Sequence, residues 1–185
     1  MTHELVTPSP WVTRWARLIP EGEVLDLACG RGRHARLLAA LGHDVTAVDR
    51  DPEALAALAG AARVRTLEAD LEGGKPWPLP GRRFAGIVVT NYLYRPLFPN
   101  LLAALAPGAV LIYETFALGN ERFGRPANPH FLLRAGELLD AFASALTVIA
   151  FEQGLVSSPC PAVVQRLCAA RAPADSIALD GAKSG

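Results

Sequence analysis

One stretch constrains this chain more than any other: Val24-Leu25-Asp26-Leu27-Ala28-Cys29-Gly30-Arg31-Gly32-Arg33-His34-Ala35. Val24 to Ala28 reads as a strand buried on both faces. Gly30-Arg31-Gly32 breaks it, and Arg33 to Leu41, rich in Ala and Leu, reads as a helix. Gly42 sits where a helix end favours a left-handed residue. Strand, tight glycine turn and helix in that order form the first half of a parallel crossover, because a helix must carry the chain back before a second parallel strand can pair.

The alternation continues. Strands are expected over 44–48, 64–67, 84–90, 109–113, 146–151 and 162–169, with helices over 53–62, 97–105 and 132–142. An amphipathic helix over 11–19 places Trp11, Trp15 and Leu18 on one face. Three Pro and three Gly make 72–83 a loop, and 114–130 reads as a long irregular connection. The last two strands have no helix between them, so they close the sheet as an antiparallel hairpin. The expected fold is therefore α/β: a Rossmann-like, seven-stranded, mostly parallel sheet with a C-terminal antiparallel hairpin and helices on both faces. One domain over 1–171 is expected, with helix 11–19 as a candidate cover and 172–185 as a flexible tail.

Composition narrows the function. Lys+Arg and Asp+Glu are both 18 in 185 residues, so no basic excess signals a grip on long nucleic acid. Three cysteines without a C-x-x-C pair argue against a disulfide framework or a structural zinc, and no metal site is expected. No apolar run is long enough to span a bilayer, and the N-terminus lacks the layout of a signal peptide. A soluble cytoplasmic protein is the default expectation.

Gly30, Gly32 and Ala35 form G-x-G-x-x-A, and Asp49 follows Gly30 by 19 residues at the end of the second strand. A glycine loop between strand and helix with an acid at that distance is the nucleotide-binding fingerprint; the acid accepts from ribose hydroxyls. Asp26 decides which nucleoside. A pyrophosphate at this helix N-terminus would meet a carboxylate. S-adenosylmethionine has no phosphate and carries an ammonium and a sulfonium, which suit Asp26, directly or through water. Asp26 as a cap for the loop amides is the plainer alternative.

Asp26-Leu27-Ala28-Cys29-Gly30-Arg31-Gly32 resembles the first motif of the class I S-adenosylmethionine-dependent methyltransferases. Arg33-His34 and Leu41-Gly42-His43-Asp44-Val45 resemble their tellurite-resistance-like branch. The resemblance covers about 22–150. It implies S-adenosylmethionine as cofactor, with the Ala28 and Gly30 backbone near the methionine moiety, Asp49 on the ribose and Asp70-Leu71 at the adenine. Arg31 and Gly32 belong to the same loop. Arg50 either covers the adenine or is solvated, and Asp70 either accepts from the adenine or caps its loop. The family's usual Asp is replaced by Ala85.

The acceptor side falls to Asn91-Tyr92-Leu93-Tyr94-Arg95-Pro96 and to loop 114–130. Asn91, Tyr94 and Arg95 are the catalytic candidates. Tyr92, Tyr94, Arg95, Phe116 and Arg125 are the substrate candidates. Either tyrosine can instead serve as core with its hydroxyl at the rim, and the loop can be a packed crossover. Arg95 and Arg125 beside the sulfonium predict an acidic or oxyanionic acceptor. His34 and His130 are conceivable bases. The reading is a methyltransferase acting on a small molecule. Its rivals are a tRNA, rRNA or protein methyltransferase and a non-catalytic S-adenosylmethionine-binding module. An NAD-dependent oxidoreductase is disfavoured by Asp26.

Overall fold

The computed structural model describes residues 7–179. Seven strands form one sheet in the order β3-β2-β1-β4-β5-β7-β6. They are β1 (Val24–Leu27), β2 (Val45–Asp49), β3 (Val64–Glu68), β4 (Phe84–Thr90), β5 (Leu105–Phe116), β6 (Thr147–Val156) and β7 (Ala162–Ala170). The first five pair in parallel, and β7 runs antiparallel between β5 and β6. The seven expected strands and the terminal hairpin are all present. β1 and β4 are buried along their whole length because both faces are covered.

Two apolar layers cover the sheet. One joins Leu25, Leu27, Ile87, Val89, Leu111 and Tyr113 to Leu101 of α4 (Phe98–Ala104) and to Leu138 and Phe142 of α5 (Glu137–Phe142). The other joins Val24, Val45, Val88 and Ile112 to Trp11, Val12, Ala35, Leu38 and Leu55. These last side chains come from α1 (Pro10–Trp15), α2 (Arg33–Ala40) and α3 (Pro52–Ala56). No helix among the described residues is long and apolar enough to cross a membrane.

Local chemistry sets the helix starts. The Ser9 hydroxyl accepts from Trp11 N–H with Pro10 in the first turn, and the Asp51 carboxylate accepts from Glu53 N–H ahead of Pro52. The helix ends differ from expectation for physical reasons. α3 stops at Ala56, not 62, as Ala57, Leu58 and Ala59 N–H turn to carbonyls three residues back. The helix expected over 132–142 begins only at Glu137. Leu133 N–H is taken by Phe116 O, and Gly136 turns left-handed at φ 70°. β5 is longer than 109–113, and β6 runs on to Val156 because the hairpin keeps pairing.

The helix expected over 11–19 is α1 followed by a 3-10 turn, Ala16–Leu18. It is a layer of the core, not a cover. Trp11 is 3% exposed with its indole N–H on Leu167 O at 3.4 Å, and none of its residues lines the cavity described below. Of the tail, residues 172–179 include a 3-10 turn at Ala174–Ser176, and 180–185 lie outside the described residues, as do 1–6.

Gly32 opens α2 in a left-handed conformation, φ 76°, with its α-carbon against Leu58; an added Cβ would meet Leu58 Cδ2 at 2.3 Å. Gly32→Ala is expected to cost roughly 2–4 kcal/mol from backbone strain plus overpacking, read as a lowered urea midpoint at unchanged slope.

Candidate active site

A cavity of about 430 Å³ crosses the carboxyl edge of the parallel strands. Sheet order arranges its walls. Asp49 and Arg50 follow β2, and Ala69, Asp70, Leu71 and Glu72 follow β3. Ala28 follows β1, and Asn91, Tyr92 and Leu93 follow β4. Thr115 and Phe116 end β5, and Pro126 and Phe131 come from the loop beyond it. This is the switch-point location, since connections leave β1 toward β2 on one side while β4 lies on the other.

The half of the cavity beyond β1, β2 and β3 is pre-organised by backbone donors. Asp49 Oδ2 accepts from Gly30 N–H at 2.7 Å and its Oδ1 from Asp51 N–H at 3.0 Å, which ties the end of β2 to the glycine loop. Gly30 is left-handed, φ 52°, and nothing lies within 4 Å of where its Cβ would be, so the loop presents bare backbone to open space. Asp70 Oδ1 accepts from Glu72 N–H at 3.1 Å and Oδ2 pairs with Lys75 at 3.4 Å; both contacts lower its carboxyl. Ala28 and Asn91 are non-glycine residues with left-handed backbone, φ 53° and 54°, and both line the cavity. Strain of this kind gathers at ligand sites, where surrounding structure holds it. Asn91 N–H bonds Glu114 O at 2.9 Å, and Tyr113 OH donates to Tyr92 O at 2.9 Å, fixing the turn after β4.

Asp26 is 1% exposed, one layer below the glycine loop, and does not line the cavity. Burial raises its carboxyl to about 7, against the opposing pull of the Ala35 N–H and Arg33. Its Oδ2 has no protein partner. Arg33, itself half-buried and lowered by burial, is favoured by Glu114 and Asp26. Glu114 contacts Arg166 at 2.6 Å, and Arg166 reaches on to Glu152 at 3.2 Å.

His34 is no base. Its Nε2 accepts from Ser9 N–H at 3.0 Å, so Nδ1 carries the proton, 3.3 Å from Thr90 Oγ1. Burial, with Arg33 beside it, pulls the imidazole down to about 3. His130 is exposed. Burial holds the Cys29 thiol up, which makes it inert.

Of the sequence candidates, the fold brings Ala28, Asp49, Arg50, Asp70, Leu71, Asn91, Tyr92 and Phe116 to one cavity. Gly30, Gly32 and Arg31 stand in the adjoining loop, Gly32 buried as a hinge and Arg31 exposed. Three acceptor candidates need correction. Tyr94 packs against the core and is not among the lining residues. Arg125 is exposed outside the lining. Arg95 Nε and Nη2 meet Glu137 at 2.5 and 3.0 Å, while Nη1 and Nη2 reach His130 O and Leu132 O at 2.7 and 2.9 Å. Its donors are engaged within the protein, so it acts as a clamp. Glu72, Leu93, Thr115, Pro126 and Phe131 were missed. Pro126 and Phe131 carry no local signal, because their place depends on how the long loop folds back.

The buried titratable pair gives a pH test. The Asp26 carboxyl is raised in the folded state, so the stability of its protonated form is present below pH ~4 and lost as pH rises toward ~7. His34 is lowered, so its contribution is lost as pH falls from 6.5 toward about 3. Asp26→Asn isolates the first effect: its stability relative to wild type should grow by roughly 2–3 kcal/mol from pH 5 to pH 8 in urea titrations. A constant difference would place the Asp26 carboxyl in the ordinary range.

Residues 24–108 match a family model described as a methyltransferase domain. No curated protein matches the sequence. Among solved structures, TehB from Haemophilus influenzae aligns with a TM-score of 0.72 at 18% identity, over 89% of this chain and 62% of that one. The chain thus spans less than two thirds of that relative. A methyltransferase from Methanosarcina mazei aligns at 0.66 and 17%, over 90% of this chain and 99% of that one. The Burkholderia thailandensis 1,6-didemethyltoxoflavin N1-methyltransferase, bound to its substrate and S-adenosylhomocysteine, aligns at 0.65 and 22%, over 93% and 80%. At these identities the structures establish a shared fold. The family match covers the segment from β1 to the start of β5, and over that segment and the rest of the sheet the chain shares the fold of these solved methyltransferase structures.

Proposed function

We propose that the protein transfers the methyl group of S-adenosylmethionine to a small-molecule acceptor. The observation that carries this is the single continuous cavity of about 430 Å³ joining Asp49 and Asp70 to Phe116 and Phe131. A volume at this scale falls within the usual range of small-molecule and cofactor sites. The neutral net charge supports a small acceptor over a nucleic acid.

The residues fit the cofactor. The bare backbone of Gly30 allows close approach, and the unpartnered Asp26 Oδ2 beneath the loop attracts an ammonium or an intervening water. Asp49 holds the ribose, and Arg50, Asp70 and Leu71 surround the adenine. Asn91 stands between the two halves of the cavity and orients the reacting centre. When bound, the cofactor supplies a methyl carbon made electrophilic by its sulfonium. The chain's part is to align a lone pair behind that carbon and exclude water, since positioning supplies much of the barrier reduction in such displacements. No side chain in the lining is built as a strong base, so any proton on the acceptor leaves to solvent.

Titration calorimetry should show micromolar binding of S-adenosylmethionine and S-adenosylhomocysteine and none of NAD. NAD binding in their place would end the reading. Asp49→Ala should weaken S-adenosylhomocysteine binding by roughly 1.5–3 kcal/mol while the protein stays folded, the scale of hydrogen bonds to a charged group. Gly30→Val should abolish binding, as its side chain enters the open space the ligand needs. Retained affinity in either variant would remove that residue from the cofactor site.

A further inference from the structure

We infer that the methyl acceptor is an uncharged molecule with a flat, apolar body, and not an anion; this rests on the cavity being the methyltransferase site proposed above. The lining is divided by chemistry. Asp49, Arg50, Asp70 and Glu72 all stand beyond β2 and β3, at the nucleoside end. The far end, beyond β4 and β5, is walled by Leu93, Phe116, Pro126 and Phe131, with Asn91, Tyr92 and Thr115 as its polar but uncharged members. Arg50 is the one cation lining the cavity among the described residues, and three carboxylates accompany it. An anionic acceptor would leave water for a mostly apolar, uncharged wall with no protein cation to meet it, which is unfavourable for an unpaired charge.

Arg95 strengthens the argument because it faces the other way. Its guanidinium is neutralised by Glu137, a carboxylate 5% exposed. Its remaining bonds go to His130 O and Leu132 O, the carbonyls on either side of Phe131. The arginine that would have held an oxyanion instead holds an aromatic ring at the cavity mouth. Phe131 is 46% exposed as a residue and lines the cavity, an apolar side chain within a ligand's reach. Phe131 and Phe116 together offer faces on which a planar apolar molecule can lie. Arg95 is thus a positioning residue for the acceptor wall.

Benzyl alcohol and benzoate share a ring and differ in charge, so they serve as probes. Binding of each is measured by ligand-observed NMR on protein saturated with S-adenosylhomocysteine. Benzyl alcohol is expected to bind about tenfold or more tightly than benzoate, roughly the discrimination that one unpaired charge confers. Phe131→Ala, at an exposed site where folding is not at risk, should weaken benzyl alcohol about fivefold with S-adenosylhomocysteine affinity within about twofold. Arg95→Lys should weaken benzyl alcohol in the same direction, because a lysine cannot span both carbonyls and Glu137. Equal or tighter binding of benzoate, failure of both probes, or an Arg95→Lys loss confined to benzoate would each overturn the acceptor class. Failure of S-adenosylhomocysteine itself to bind would overturn the cofactor reading and this inference with it.

Discussion

The hydrogen bond from Gly30 N–H to Asp49 Oδ2, 2.7 Å long, joins the two features on which the site depends. Gly30 ends the turn out of β1, and Asp49 ends β2. These strands are neighbours in register, Leu27 opposite Val48, so the parallel pairing delivers both ends to the same edge. Satisfying a loop amide with a carboxylate leaves the carboxylate's other lone pairs open toward the cavity that Asp49 lines. The same bond therefore shapes the loop and fixes the Asp49 carboxylate in place, and a group already ordered lowers the cost that any binding there would otherwise meet.

Beneath that edge the protein carries polar groups that a purely structural core would avoid. Asp26 has a raised carboxyl and an unpartnered oxygen, and His34 is held neutral between Ser9 and Thr90. They have different roles. His34 is satisfied at both nitrogens and fastens the segment before α1 to the start of α2 and the end of β4. Asp26 is left short of a partner, which is costly unless a cation or water completes it. Two buried titratable residues eight positions apart thus separate into a rivet and a carboxyl left short of a partner.

Arg95 illustrates how a residue's chemistry can be read correctly and its role wrongly. A guanidinium after β4, near the expected acceptor, suggests anion binding. Glu137 is distant in sequence, and only the return of the chain through the short bridge between Ala117 and Leu133 brings it to Arg95. Burial alone would raise the Glu137 carboxyl, but the Arg95 hydrogen bonds and the Arg134 N–H hold it below the usual range. The ion pair is therefore satisfied internally, and the remaining Arg95 donors hold the backbone on either side of Phe131, a residue of the cavity lining.

The sequence by itself determined the strand order of events: a glycine turn after a buried strand, repeated alternation, a hairpin where no helix intervenes, and an acid at the end of the second strand. These are local or short-range signals, carried by backbone conformation and by periodicity. Asp49, Asp70 and Ala28 were legible for that reason, as each stands at a strand end whose position the alternation predicts. Tertiary structure alone decided the far wall of the cavity. Pro126 and Phe131 reach the cavity because the loop after β5 folds back and Arg95 clamps it, and α1 becomes core because Trp11 finds Leu167 across the sheet. Contacts between residues tens of positions apart depend on loop closure and on competition for partners, and neither leaves a pattern in the order of the amino acids.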